Sequence, residues 1–93
     1  MFIRETRMLR SMIALRIRAI RQEHYGDRGV DILAAHLELP VRTWEHYESG
    51  VTIPGEVLLR FMVETGVSAS WVLTGEGARY IAADAAISIL SAN

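Results

Sequence analysis

Ninety-three residues with ten Arg/Lys against eleven Asp/Glu give a formal net charge of −1, and a chain of this size makes one small domain. Cysteine is absent, which excludes a disulfide framework and a thiolate zinc site. His24, His36 and His46 lack the compact spacing of a metal motif, so no metal and no cofactor is expected.

The charge is unevenly spread. Residues 1–42 hold eight arginines against Glu5, Glu23, Asp27, Asp31 and Glu38, a balance of +3, whereas residues 43–93 stand at −4. Only the N-terminal half therefore offers phosphates a basic surface. Arginines at positions 4, 7, 10, 16, 18 and 21 interrupt the apolar N-terminus. A secretory signal needs an unbroken apolar run of about seven residues and a membrane span about twenty, so neither is expected. An Arg-rich amphipathic start also suits a transit peptide or a membrane-surface helix, but this segment is needed as the first core helix. The expected location is the cytoplasm, with no membrane partner.

Residues 1–10 read as an arm or as the start of helix 1, capped by Thr6 or Ser11. Met8/Leu9, Met12/Ile13, Ile17 and Ile20 recur at helical spacing, with Arg10, Arg18 and Arg21 mostly off that stripe. The glycines and Asp of residues 25–29 end the helix near His24. A second helix over residues 30–37 buries Ile32, Leu33, Ala35 and Leu37, with Ala34 small enough for close approach. After a turn at residues 38–40, a third helix starts at Pro40 or Val41 and ends near Ser49, with Gly50 as its exit glycine. Its apolar face is Val41, Trp44 and Tyr47, and its mixed face is Arg42, Thr43, Glu45 and His46.

Ile53-Pro54 breaks the chain. A fourth helix over residues 55–65 presents Val57, Leu58, Phe61 and Met62, and Gly66 stops it. Ser68 or Ser70 caps a short fifth helix with Trp71, Val72 and Leu73 as core, ending at residues 74–77. The tail, residues 80–93, aligns Ile81, Ala85 and Ile89. It reads as a sixth helix, packing on the domain or on a second subunit, or as an irregular end. The expected fold is all-α, a compact bundle of about five helices with a helix-turn-helix. The expected organisation is 1–10 arm or helix start, 11–79 DNA-binding domain, and 80–93 tail or dimerisation helix.

The chain resembles the lambda-repressor-like helix-turn-helix family, of Cro/C1 or XRE type, over about residues 13–77. The residues that carry the likeness are Ile17-Arg18-Ala19-Ile20-Arg21, Leu33-Ala34, Leu37-x-Leu39, Trp44-x-x-Tyr47-Glu48-x-Gly50, Ile53-Pro54 and Trp71-Val72-Leu73-Thr74-Gly75-Glu76-Gly77. The resemblance implies that the helix near residues 41–48 enters the major groove of double-stranded DNA, with its first residues at base edges. By position, Val41, Arg42 and Glu45 match the family's base-contacting sites, with His46 a further candidate. Their chemistry suits the role. Arg reads guanine N7 and O6 together, Glu accepts from cytosine N4, and Val touches a thymine methyl. Phosphate contacts are implied for Arg28, Val30, Thr43, Tyr47, Thr52 and the backbone of Gly50.

Three residues depart from the family pattern. Glu38 stands where a small residue, often Gly, is usual, and would extend the second helix or change the turn. Pro40 replaces a Ser or Thr cap. Gly29-Val30 replaces a Ser-Gln whose Gln contacts DNA. Trp44 and Tyr47 read first as core, and Glu48 as an anchor for backbone or for an arginine inside the bundle.

No serine lies in a nucleophile-elbow context and no carboxylates pair in an evident cleft, so an enzyme is not expected and no small-molecule substrate is evident. The leading expectation is a sequence-specific transcriptional regulator, a repressor acting as a homodimer on a two-fold site. The competing expectation is a protein-interaction module of the same fold, antitoxin-like or repressor-sequestering, which reads no DNA.

Overall fold

Helical periodicity carries the chain nearer its N-terminus than the cap residues suggest. In the computed structural model, which describes residues 2–81 with side chains from Glu5 onward, the first helix, α1, spans Phe2–Tyr25. Thr6 and Ser11 are therefore interior helix residues rather than caps, and residues 2–10 form the start of this helix rather than a separate arm. α2 is Val30–His36, α3 Val41–Glu48, α4 Gly55–Thr65 and α5 Ala69–Thr74. The protein is all-α. Among the described residues the one β-type pairing is an isolated antiparallel bridge, Val67 to Tyr80. The expected sixth helix lies outside the described residues, apart from Tyr80 and Ile81. Among the described residues no helix is long and apolar enough to cross a membrane.

The chain divides into two units, Met1–Ile53 and Pro54–Asn93. In the first, α1, α2 and α3 all pack on one another. Ile17, Ile20, Leu33, Leu37 and Trp44 are fully buried, each contributing roughly 1.5–3 kcal/mol relative to exposure. Ala34 is buried as well, as close helix approach requires. The apolar stripe read from the sequence is corrected here. Met8, Leu9 and Met12 are exposed, and the α1 core begins only at Ala14. In α2, Ile32 and Ala35 are also exposed. A helix seven residues long has one narrow buried side, filled by Leu33 and Ala34, with Leu37 buried just past its end.

The exits of α2 and α3 use one geometry with different residues. Leu39 N–H donates to the Ala34 carbonyl at 2.9 Å and Glu38 N–H to that of Ala35 at 3.1 Å. Val51 N–H donates to His46 at 3.0 Å and Gly50 N–H to Tyr47 at 3.1 Å. This paired arrangement needs a left-handed residue just past the helix. At α3 it is Gly50, with φ of 108°, and at α2 it is Glu38, with φ of 57°. Glu38 thus neither lengthens α2 nor opens the turn. It accepts a conformation that disfavours a side chain by about 1–2 kcal/mol.

In the second unit, α4 packs on α5, and Phe61, Met62, Val67 and Val72 are buried. Local signals set its boundaries. Gly66 ends α4 and Gly75 ends α5, both left-handed, and the Ser68 hydroxyl accepts from Trp71 N–H. The Thr65 hydroxyl donates to the Phe61 carbonyl at 2.7 Å. Ser68 N–H donates to the Arg79 carbonyl, and Ile81 N–H to that of Gly66, both at 2.8 Å. The Arg79 guanidinium lies over the Trp71 ring, 4.7 Å from its centre. Leu73, expected in the core, is exposed; it falls on the outer side of a six-residue helix.

Candidate nucleic-acid interface

α3 is a short helix held by one buried charge. Arg21 sits off the apolar stripe in sequence, yet its side chain is only 4% exposed, against 10% for its partner Glu48. Its Nε donates to Glu48 Oε2 at 2.9 Å and its Nη2 to Oε1 at 2.8 Å. Its Nη1 donates to the carbonyls of Gly26 and Asp27 at 2.8 and 2.9 Å. Trp44 Nε1 donates to Glu48 Oε2. One guanidinium thereby ties α1, the loop after it and α3 together, in the two-pronged geometry that Arg and carboxylate favour. The hydrogen bond to Glu48 raises the Arg21 pKa above its ordinary value; burial works against that, and the charges of Glu48 and Asp27 reinforce it. Among the described residues no buried side-chain polar atom lacks a partner. Glu48 is therefore the internal anchor for an arginine, and Trp44 is core, with Tyr47 half-buried edge-on to it at 6.0 Å.

The backbone of the loop before α2 accounts for glycine at position 29. A Cβ at Gly29 would collide with the Cβ and carbonyl of Tyr25. α2 consequently starts with no side-chain cap, and its first amides are open to an external acceptor. Val30 heads this helix, half-buried, so only its backbone N–H suits a phosphate. Arg28 is exposed in the loop just before it.

With its inner side fixed by Trp44 and Glu48, α3 turns Arg42, Glu45 and His46 outward, all exposed. Val41 is 40% exposed at the start of the helix. Thr43 and Tyr47 are half-buried along one margin. Arg42 forms no ion pair among the described residues. Pro40, in extended conformation, precedes α3 and provides no side-chain cap, although its carbonyl accepts from Thr43 N–H at 3.0 Å. Thr52 is exposed beyond the exit. The Gly50 amide, by contrast, already donates to Tyr47, which removes it from the set of phosphate donors. Ser49 was missed by the sequence reading. It is exposed and lies on the same face at i+3, i+4 and i+7 from His46, Glu45 and Arg42, a spacing that could have revealed it. Its hydroxyl donates to the His46 carbonyl at 2.7 Å, leaving lone pairs outward.

The face thus combines a forked donor, a carboxylate acceptor, an imidazole and a hydroxyl on one exposed helical surface about 12 Å long. It can present a pattern of donors and acceptors to an external surface. Among the described residues no group of three or more His, Asp or Glu could hold a metal ion. Comparison of the chain with family models, curated proteins and solved structures gives no match.

Proposed function

We propose that this protein is a sequence-specific reader of double-stranded DNA, a transcriptional repressor of lambda-repressor-like, Cro/C1 or XRE type, that presents α3 to the major groove. The observation that carries the reading is the division of α3. Its inner side is locked by Arg21–Glu48–Trp44, and its outer side holds Arg42, Glu45, His46 and Ser49 exposed. A helix fits the major groove, and these side chains suit base edges there: Arg42 a guanine, Glu45 a cytosine N4, Val41 a thymine methyl. Arg28, Thr43, Tyr47, Thr52 and the open amides at the start of α2 are the positioning contacts to phosphates. One such face makes few contacts, and the net charge of −1 adds little attraction. A homodimer on two half-sites about one helical turn apart supplies the rest. The protein acts in the cytoplasm, nucleoid-associated while bound.

Selection of genomic fragments by the purified protein at two salt concentrations tests this. The reading expects one two-fold motif, with affinity falling steeply as salt rises. Recovery of no motif overturns it and favours a protein-interaction module, a reading supported by acidic Glu45 on the outer face and the absence of a polar side chain at Val30.

A further inference from the structure

α1 carries two apolar stripes on opposite sides. Ala14, Ile17 and Ile20 are buried within the first unit. Met8, Met12 and Leu15 are 61%, 40% and 64% exposed, and at 3.6 residues per turn they sit roughly 170° around the helix from the buried set. With Ala19 the outer positions follow a four-three-four spacing, the d-a-d-a seam of a two-stranded coiled coil. The stripe is narrow. Leu9 and Arg16 border it on one side, Ser11 and Arg18 on the other, and Glu5 closes it toward the N-terminus. A lipid surface is met by a broad apolar face, whereas a seam this narrow suits a second helix with the same pattern.

We infer that two copies of this chain pair through this stripe, α1 alongside α1 in parallel. The inference deepens the DNA-reading proposal by naming the dimer interface, and rests on that proposal for its purpose but not for its geometry. Since the stripe faces away from the buried side of α1, two copies can close on it with their α2–α3 layers outermost. In a parallel pair both layers lie at the same end, as a two-half-site reader needs. Arg18 and Glu23 are five residues apart, the offset at which a g position of one strand meets an e position of its partner. The seam is less than two heptads long, short for a coiled coil, so pairing through it is weak and is completed by DNA.

Because the chain has no cysteine, single-cysteine variants report the seam cleanly. Without DNA and under a mild oxidant, Met8→Cys, Met12→Cys and Leu15→Cys should each form a self-disulfide, and Thr6→Cys, on the side away from the stripe, should not. In sedimentation, also without DNA, Met12→Asp with Leu15→Asp should raise the dimer dissociation constant at least tenfold and leave the helical circular-dichroism signal intact. Equal crosslinking at Thr6→Cys, self-crosslinking confined to Met12→Cys, or a chain monomeric at hundred-micromolar concentration overturns the parallel seam. The two proposals fail separately: a monomer that still selects a half-site refutes only the seam, and a dimer that selects no DNA refutes only the reader.

Discussion

The two sides of α3 treat polar residues in opposite ways. Inward, Glu48 accepts from Arg21 and Trp44, and the arginine also closes the loop after α1. Outward, Arg42, Glu45 and His46 stand exposed. A buried charge holds structure because removing its partner leaves an unpaired ion in low dielectric. An exposed charge adds little stability, so its identity is free to be set by what it meets outside. Similar side chains a few residues apart thus serve position on one side and, in the proposal, recognition on the other. The difference teaches that the outer face of α3 can vary its side chains because the inner face alone fixes the helix in place.

Breaking the inner side has the largest expected effect. Arg21→Met should cost about 3–5 kcal/mol by leaving Glu48 without its cation, measured by urea unfolding. Since the Arg21 pKa is raised, its share of the stability is fully present below the ordinary arginine range and is lost only as pH rises through the higher folded value. The penalty of Arg21→Met should therefore not shrink between neutral and mildly alkaline pH. Gly29→Ala, forcing a Cβ onto Tyr25, should destabilise by about 1–3 kcal/mol, the range for overpacking. On the outer side, Arg42→Ala should leave unfolding within about 0.5 kcal/mol of the parent while weakening binding to a selected site by about 1–3 kcal/mol at one base position. The smallest effect sharpens the comparison between the exits of α2 and α3. Glu38→Gly should stabilise by about 0.5–1 kcal/mol, as relief of the left-handed strain is partly offset by the unfolded-state freedom of glycine. A destabilised Glu38→Gly variant would contradict the strain reading.

Features with a local signature were legible in the sequence. Gly66 and Gly75 end their helices, Ser68 caps α5, and Pro54 precedes α4. The outward group Arg42, Glu45 and His46 followed from the position of Trp44, because one buried aromatic fixes the phase of an eight-residue helix. What escaped was long-range. Arg21 read only as lying mostly off the apolar stripe, because its partner is 27 positions away. Met8 and Met12 read as core or interface and Leu9 as part of the same stripe, because periodicity finds apolar stripes without saying which side of a helix its neighbours cover; all three are exposed. Glu38 drew notice as a departure, but only the paired bonds from Glu38 and Leu39 show that it takes the left-handed position itself.

The central claim is that the outer side of α3 reads bases, and parallel DNA selections with the parent protein and Arg42→Ala test it most directly. The account predicts one two-fold motif for the parent, and for the variant the same motif relaxed at one position in each half-site. An identical motif from both proteins would contradict the assignment of Arg42, and no motif from the parent would contradict DNA reading altogether.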